Sequence, residues 1–421
     1  MKIWLKMLFS IVIGLIIGAV VPKDIEWFNS VLKIISSVSV NLLLYFTALY
    51  VPLKIFIGFN SLKEKSKKFI WIFFLSIVIS LLFSAIISIG IMNIEIFQQG
   101  KEFRVFQISG KPVELLTFGE IINNIISPNL INSFTGQIKY LLPLIFVGLI
   151  FALASRSSSK KMQYFIEITQ AFEEFVDKII KQILEIFPFL AIFYVIYLTG
   201  TGFLNVDYKE FIKKEGISYL IILKPLIAII LSSAIVLFFS FIFLRIILKK
   251  NVALYFLGIL GAGLIGFVTG NSASALIPLS AHLKRNIGVN QSASKILSPL
   301  GIVFNKTGTI IVASVVLMTI LYTFHLNKIS FQLQFVLFAI LFLFTFRLDG
   351  ANDFGFIALA AMVLSFKPLK LEENSYLLFW IFLPLLNRIA IFVDVVTTGI
   401  LVIISAKFSD NLENRQYIDF I

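Results

Sequence analysis

The sequence from Lys249 to Arg285 reads KKNVALYFLGILGAGLIGFVTGNSASALIPLSAHLKR, an apolar segment with two basic residues near each end. Basic residues gather at the cytoplasmic ends of membrane segments, so both ends are expected in the cytoplasm. The part from Asn251 to His282 has about 32 residues and would be roughly 48 Å long as one helix, too long for a single crossing. A hairpin that enters the membrane and returns to the same side satisfies both observations.

The tip of this hairpin is expected at Thr269–Ser274, where the sequence TGNSAS is small, polar and unfavourable for a helix. Irregular polar backbone at membrane depth is tolerated only where protein or a water-filled cavity covers it. The tip is therefore a candidate binding region. An ordinary helical hairpin, or loops lying near the surface, is the alternative interpretation.

A second interrupted segment covers residues 331–366. Two apolar runs, each too short to span a bilayer comfortably, flank a charged interruption that contains Arg347, Asp349, Asn352 and Asp353. Full spans are predicted after each hairpin, at 295–323 and 374–405. The order hairpin–span, hairpin–span with opposite polarity is an inverted repeat with broken helices, which is typical of transporters.

Most of the chain must have lipid as its solvent. Apolar residues make up 59% of the 421 residues, and the mean hydropathy is +0.97, more than a soluble surface could accommodate. Apolar runs of spanning length recur near residues 4–22, 30–60, 69–93, 138–155, 163–200, 216–248, 295–323 and 374–405. The sequence predicts an all-α polytopic membrane protein with eight transmembrane helices and two re-entrant helical hairpins in an inverted repeat.

The net charge of +13 is interpreted as topological, because Lys and Arg lie mainly in short loops between spans. Nucleic acid is therefore not an expected partner. The basic loops place both termini in the cytoplasm, with residues 94–137 as an external excursion and 411–421 as a cytoplasmic tail. The chain is expected in the inner, cytoplasmic membrane.

Composition also excludes several chemistries. The chain has no cysteine, so it has no disulfide, zinc–thiolate site or thiol nucleophile. Its two histidines, His282 and His325, are too few for a haem or multi-histidine centre. Neither a metal-ligand spacing nor a nucleophile–base arrangement is present, so the sequence predicts that the protein is not an enzyme and has no organic cofactor.

Several motifs resemble those of the dicarboxylate/amino-acid:cation symporter family, the bacterial glutamate-transporter-like proteins. Asn271–Pro278, NSASALIP, is similar to the family's first hairpin tip, S-S-S-x-T-L-P. Ser298–Gly301 and Asn305–Thr309 read SPLG and NKTGT and resemble the family's L-P-L-G and N-M-D-G-T. The resemblance covers almost the whole chain, as a divergent member.

The resemblance implies a homotrimer in which a mobile transport domain moves against a fixed scaffold. Residues 1–250 would be mainly scaffold, although spans 3 and 6 would belong to the mobile domain. Residues 251–410 would form the transport-domain core, with hairpin 251–283, span 295–323, hairpin 331–366 and span 374–405. Solute would bind between the hairpin tips and the last two spans, driven by Na⁺ or H⁺.

Two sets of candidate site residues follow from the resemblance and from the polar residues in these segments. The substrate-binding candidates are Ser272, Ser274, Thr309, Asn352, Asp394 and Thr398. The ion-coupling or charge-compensating candidates are Asn305, Lys306, Thr307, Asp349 and Asp353.

Lys306 replaces the methionine of the family motif, and Thr307 replaces its sodium-binding aspartate. Lys306 lies about 10 residues into its span, roughly 15 Å deep, where a lone charge costs about 2.5–3.5 kcal/mol. An ion pair with Asp394, Asp349 or Asp353 would offset this cost, and snorkelling to water is the alternative. In the ion-paired case the ammonium would stand where relatives bind sodium, so sodium coupling is expected to be weakened or absent.

Asp394 lies inside the last apolar span and must face protein or a cavity. Two alignments remain open, at the position of the family's substrate-binding arginine or at that of its asparagine. At the arginine position Asp394 would invert the charge of the pocket and favour neutral or cationic substrates. A structural salt bridge with Lys306 is the alternative.

These features predict a secondary active transporter, an elevator-type symporter for an amino acid or dicarboxylate-like solute with altered or lost sodium coupling. Its expected partners are the solute, the lipid bilayer and further copies of the chain in a homotrimer. The competing hypothesis is a non-transporting solute sensor, a structural membrane protein or an anion channel on the same fold.

Overall fold

The computed structural model describes residues 3–21, 25–61, 68–97, 141–155, 160–200, 219–248, 252–324 and 383–413, with a few positions between 332 and 382. These segments are helical apart from short turns and one isolated bridge between Val289 and Leu412. The protein is therefore an all-α polytopic membrane protein, as predicted.

The described segments contain eleven α-helices. The first five are α1 Ile3–Val20, α2 Glu26–Asn60, α3 Lys68–Met92, α4 Leu142–Ala154 and α5 Lys160–Gly200. The others are α6 Tyr219–Leu248, α7 Val252–Thr269, α8 Ser272–His282, α9 Gln291–Phe304, α10 Thr307–Phe324 and α11 Leu383–Phe408. A π-helical turn, Leu283–Ile287, follows α8.

Seven of the described segments are long and apolar enough to cross a bilayer, namely α1, α2, α3, α5, α6, the α9–α10 pair and α11. The helix α4 is shorter and corresponds to the span predicted near 138–155. The second predicted hairpin, 331–366, lies almost entirely outside the described residues, as do most of 94–137 and the first residues of 374–405.

The helices pack into two groups. In the first group, α5 packs along both α1 and α2, and α4 packs on α2. In the second group, α11 is the central helix and contacts α3, α6, α7, α8, α9 and α10. The principal contacts between the groups run from α2 to α8 and α9, and from α1 to α7.

Burial identifies the interior of the second group. In the best spanning windows of the α9–α10 pair and of α11, 89% of residues are buried, against 28% in α1. Most polar side chains on α9, α10 and α11 therefore face protein, whereas much of the surface of α1 is available to lipid. The polar residues of these two buried segments are therefore candidate functional residues.

Small residues allow α1 and α5 to approach closely in the first group. A Cβ atom on Gly14 would lie 2.7 Å from the Cβ of Val195, and one on Gly18 would overlap the hydroxyl of Thr199. The two glycines are four residues apart, so they lie on one face of α1. Close backbone approach through such glycines is a common basis of helix packing in membranes.

A buried ion network joins the two groups. Glu173 on α5 accepts hydrogen bonds from Lys54 on α2, at 2.5 Å, and from Lys295 on α9, at 2.6 Å. Asp177, one turn further along α5, pairs with Lys54 at 2.9 Å. The side chains of Lys54, Glu173 and Lys295 are at most 5% exposed. Loss of any one of them would leave an uncompensated buried charge.

The absence of cysteine in the sequence gives a direct test of the α7–α8 hairpin. We expect Ala253→Cys, at the start of α7, and Lys284→Cys, after α8, to react with a membrane-impermeant thiol reagent from the same side of the membrane. Glu26→Cys, at the start of α2, should react from the opposite side, because five predicted crossings, α2 to α6, lie between Glu26 and α7. Labelling is measured by mass shift in oriented vesicles.

Reaction of the cysteines at 253 and 284 from opposite sides would contradict the re-entrant hairpin and would make α7 and α8 a single crossing.

Candidate solute and ion site

The turn between α7 and α8 is a compact polar tip. Gly270 has a φ of +65°, which favours glycine, and Asn271 begins α8 by accepting a hydrogen bond from the backbone N–H of Ala273 at 2.8 Å. The hydroxyls of Thr269 and Ser274 are 2.5 Å apart, and Ser274 also donates to the carbonyl of Asn271 at 2.6 Å. The hydroxyl of Ser274 is therefore directed into the tip itself.

The predicted span 295–323 is broken at its centre. The helix α9 ends at Phe304, Asn305 is extended with a φ of −83° and a ψ of 102°, and α10 begins at Thr307. Such a break exposes the N–H groups of the next helix in a buried interior, where each needs a partner. The backbone N–H of Asn305 still bonds to the carbonyl of Gly301 at 2.8 Å.

Asn305 ties this break to α11. Its Nδ2 lies 3.1 Å from the carbonyl oxygen of Asp394, 2.8 Å from the hydroxyl of Thr397 and 3.0 Å from that of Thr398. Its Oδ1 accepts a hydrogen bond from Thr307 at 2.6 Å. The side chain of Asn305 is fully buried. The oxygen atoms around the break are thus already hydrogen-bonded to one another and to an amide.

The carboxylate of Asp394 caps the second half of the broken helix. Its Oδ1 accepts from the backbone N–H groups of Gly308, at 2.6 Å, and Thr309, at 3.2 Å. Its Oδ2 accepts from the hydroxyl of Thr309 at 2.7 Å. A negative charge at a helix N-terminus is favoured by the exposed N–H groups and by the helix dipole. Asp394 therefore has a structural role that sequence reasoning did not predict.

Gly308 makes this cap possible by removing steric bulk. A Cβ atom at this position would lie 2.2 Å from the carbonyl oxygen of Ala390 and 2.7 Å from the Cβ of Val393. The start of α10 can therefore approach α11 closely enough for Asp394 to reach its N–H groups.

The predicted ion pair between Lys306 and Asp394 is not formed. No nitrogen–oxygen distance of 4.0 Å or less joins these two described side chains, and Lys306 donates instead to the carbonyl of Ile302 at 3.3 Å. The physical reason is that both carboxylate oxygens of Asp394 are engaged by α10. The other two proposed partners, Asp349 and Asp353, lie outside the described residues. Lys306 is nevertheless buried, with 7% of its surface exposed. Its ammonium group therefore does not reach water by snorkelling, which was the alternative to an ion pair.

Arg388 is a cation that sequence reasoning did not select. Its guanidinium lies against the hairpin tip, because a Cβ on Gly270 would be 3.6 Å from its Cζ. Nη1 donates to the carbonyl of Pro384 at 2.9 Å, and Nη2 donates to the hydroxyl of Tyr194 at 3.3 Å. Nε is buried without a hydrogen-bond partner among the described residues. Within the described part of the chain, no carboxylate pairs with Arg388. A charge in an apolar span was the signal that could have found it.

The structure brings some of the predicted site residues together. Asn305, Thr307, Thr309, Asp394 and Thr398 form one hydrogen-bonded cluster at the helix break. Ser272 and Ser274 lie at the hairpin tip, where Ser272 is half-buried. Asn352, Asp349 and Asp353 lie outside the described residues, so the roles predicted for them stay predictions.

The described residues contain no group of three or more His, Asp or Glu side chains that could hold a metal ion. The oxygen atoms at the helix break include those of the carboxylate of Asp394, the hydroxyls of Thr307, Thr397 and Thr398, and the side-chain carbonyl of Asn305.

Comparison with protein families gives a decisive match. The family model described as Sodium:dicarboxylate symporter family matches residues 3–408. The chain belongs to the sodium:dicarboxylate symporter family. Membership makes it a multi-pass membrane transport protein for a small solute and places it among transporters, not enzymes. No curated protein matches the chain.

The capping role of Asp394 predicts the effect of Asp394→Asn. Loss of the charge at the α10 N-terminus should lower the free energy of unfolding by about 1–3 kcal/mol. Thermal unfolding of the purified protein in detergent measures this change as a lower Tm. Ser405→Ala is the control on the same helix, because the Ser405 hydroxyl donates to the carbonyl of Leu401 four residues before it.

An Asp394→Asn protein no less stable than Ser405→Ala, but defective in solute binding, would instead support the substrate-binding role predicted for Asp394.

Proposed function

We propose that the protein is a secondary active symporter for a small anionic solute that carries a carboxylate, such as a dicarboxylate or an acidic amino acid. The observation that carries this proposal is the guanidinium of Arg388 beside the first hairpin tip. Family membership supports the transport function, and Arg388 supports the charge of the solute.

Arg388 suits an anionic ligand because its own charge is poorly compensated. Its hydrogen bonds within the described residues go to neutral groups, the carbonyl of Pro384 and the hydroxyl of Tyr194. A guanidinium out of water is stabilised strongly by a carboxylate, which it can bind with two parallel hydrogen bonds. The buried Nε offers one of the donors for such a bond.

Other groups at the tip would complete the recognition. The half-buried hydroxyl of Ser272 lies at the first residue of α8, whose N-terminal N–H groups favour negative charge. Asn387 donates to the carbonyl of Gly270 at 3.3 Å, and Tyr194 donates to that of Thr269 at 3.5 Å. These bonds would hold the tip in place against α11 and α5.

This assignment differs from the charge-inverted pocket that one alignment of Asp394 suggested. Because α10 neutralises the carboxylate of Asp394, the cationic Arg388 is the better indicator of substrate charge. Of the predicted substrate-binding residues we favour Ser272, since the hydroxyls of Ser274, Thr309 and Thr398 already bond within the protein.

Altered or lost sodium coupling is part of the same proposal. Sodium would need oxygen ligands at the helix break, and Asn305 donates to the oxygens of Thr397 and Thr398 there. Thr307 contributes a neutral hydroxyl, and the buried ammonium of Lys306 adds a positive charge nearby, which disfavours a second cation. The coupling ion would be a proton, or sodium bound with low affinity.

Elevator-type movement is supported by the packing of the helices. The group around α11 would move as the transport domain, together with α3 and α6, against a scaffold of α1, α2, α4 and α5. We also propose the homotrimer, the inner-membrane location and the cytoplasmic termini that the sequence predicts.

The Arg388 hypothesis predicts the solute preference of the protein in proteoliposomes. In a counterflow assay, labelled succinate or aspartate should exchange faster than a neutral or a cationic amino acid. Arg388→Gln should slow this exchange about tenfold or more, because a hydrogen bond to a charged group contributes about 1.5–3 kcal/mol. Arg388→Lys should retain part of the rate, because it keeps the charge and loses the planar fork.

Arg245→Gln is the matched control, since Arg245 is an exposed arginine near the end of another span. Faster exchange of neutral or cationic solutes, or full activity of Arg388→Gln, would contradict the assignment. Absence of exchange by folded protein would favour the sensor or structural hypothesis, and solute flux without exchange would favour the channel.

The helix break predicts weak sodium dependence. Replacement of sodium by choline on both sides of the membrane should leave the counterflow rate nearly unchanged. The double variant Lys306→Met/Thr307→Asp, which recreates the family motif, should make exchange more dependent on sodium. Wild-type exchange that stops without sodium would show that the native helix break accommodates the coupling cation.

A further inference from the structure

A cleft with a cavity volume of about 30 Å³ lies between the two helix groups, away from the hairpin tip. Its walls come from α2 and α5 on one side, and from α8, the π-helical turn and α9 on the other. The charged residues that line it are Lys54, Asp177, Lys181, Lys284, Arg285 and Lys295. Five cations and one carboxylate therefore line this cleft.

Part of this positive charge is already balanced. Lys54 and Lys295 share Glu173, and Lys54 also contacts Asp177, so two ammonium groups face two carboxylates. Lys181 and Arg285 take part in further contacts. Lys284 is different, because within the described residues it makes neither an ion pair nor a hydrogen bond, although it is half-buried.

A second polar group in the cleft is available to a ligand. Ser280 on α8 lines the cleft and is only 5% exposed. Its hydroxyl interacts with Tyr50 across the cleft but makes no hydrogen bond within 3.5 Å among the described residues. A buried hydroxyl without a close hydrogen bond is costly, and a ligand oxygen would satisfy it. Ser280 and Lys284 are one turn apart, so an oxyanion could contact both.

We infer that this cleft is a binding site for a phosphate group, carried by an anionic lipid or present as free phosphate. Lys284 would supply the charge and Ser280 a neutral donor. Basic pockets between membrane helices commonly bind anionic head groups. The site is separate from Arg388 and does not depend on the proposed solute.

A phosphate bound here would bridge the two helix groups. Lys54 belongs to α2 in the first group, whereas Ser280, Lys284 and Lys295 belong to the second. The ligand would therefore reinforce the contact that Glu173 already makes between α2, α5 and α9. Binding should raise the thermal stability of the protein, since a ligand that binds the folded state stabilises it.

Two probes distinguish the sources of the phosphate group. Binding of inorganic phosphate to the purified full-length protein is measured by calorimetry, with chloride at the same ionic strength as reference. Binding of phosphatidic acid and phosphatidylglycerol is measured by native mass spectrometry, with phosphatidylcholine as reference. Affinity for inorganic phosphate would identify a free anion, and affinity for the anionic lipids alone would identify a head group.

Lys284→Gln should lower the affinity for the bound probe about tenfold or more, because it removes a charged donor. Lys284→Arg should retain binding. Ser280→Ala, which removes one hydroxyl and no ion pair, is the second variant if Lys284→Gln folds poorly. Lys178→Gln is the matched control, since Lys178 is exposed on α5 next to Asp177 and does not line the cleft.

Two results would overturn the inference. One is that neither probe binds folded wild-type protein more strongly than its reference. The other is that Lys178→Gln weakens binding as much as Lys284→Gln and Ser280→Ala do, which would show attraction to general surface charge.

Discussion

The contact between the Asp394 carboxylate and the N-terminus of α10 is the interaction on which the centre of the protein depends. A helix that breaks inside a membrane protein exposes N–H groups that neither lipid nor an apolar core can satisfy. Asp394 accepts two of them, from Gly308 and Thr309, while Asn305 joins the other side of the break to α11. Together these bonds allow irregular polar backbone to persist in the most buried part of the chain.

The same constraint explains how the protein handles charge at depth. Asp394 is neutralised by a helix end, and Glu173 by two lysines. Arg388, Lys284 and Lys306 are the exceptions, since within the described residues none of them forms an ion pair with a carboxylate. A cation without an ion pair inside a membrane protein is expensive and is usually functional. Arg388 and Lys284 each mark a place where an anion would complete the structure, one at the hairpin tip and the other between the helix groups.

The sequence was most informative where local patterns carry the signal. Basic flanks around an apolar segment predicted the α7–α8 pair, and the motif at Asn305–Thr309 led to the family. Partner choice was harder to predict, because it depends on contacts between distant residues. Lys306 was expected to pair with Asp394, Asp349 or Asp353, yet the carboxylate of Asp394 lies on the N–H groups of α10. The Glu173 bridge joins residues more than 100 positions apart, and no local pattern indicates it.

Accumulation of labelled succinate or aspartate in proteoliposomes, against its own concentration gradient, is the decisive measurement. With an imposed proton or sodium gradient, the wild-type protein should raise the internal concentration above the external one, and Arg388→Gln should abolish the excess. Equal concentrations under every gradient, or accumulation that is independent of Arg388, would contradict a symporter that recognises a carboxylate at the hairpin tip.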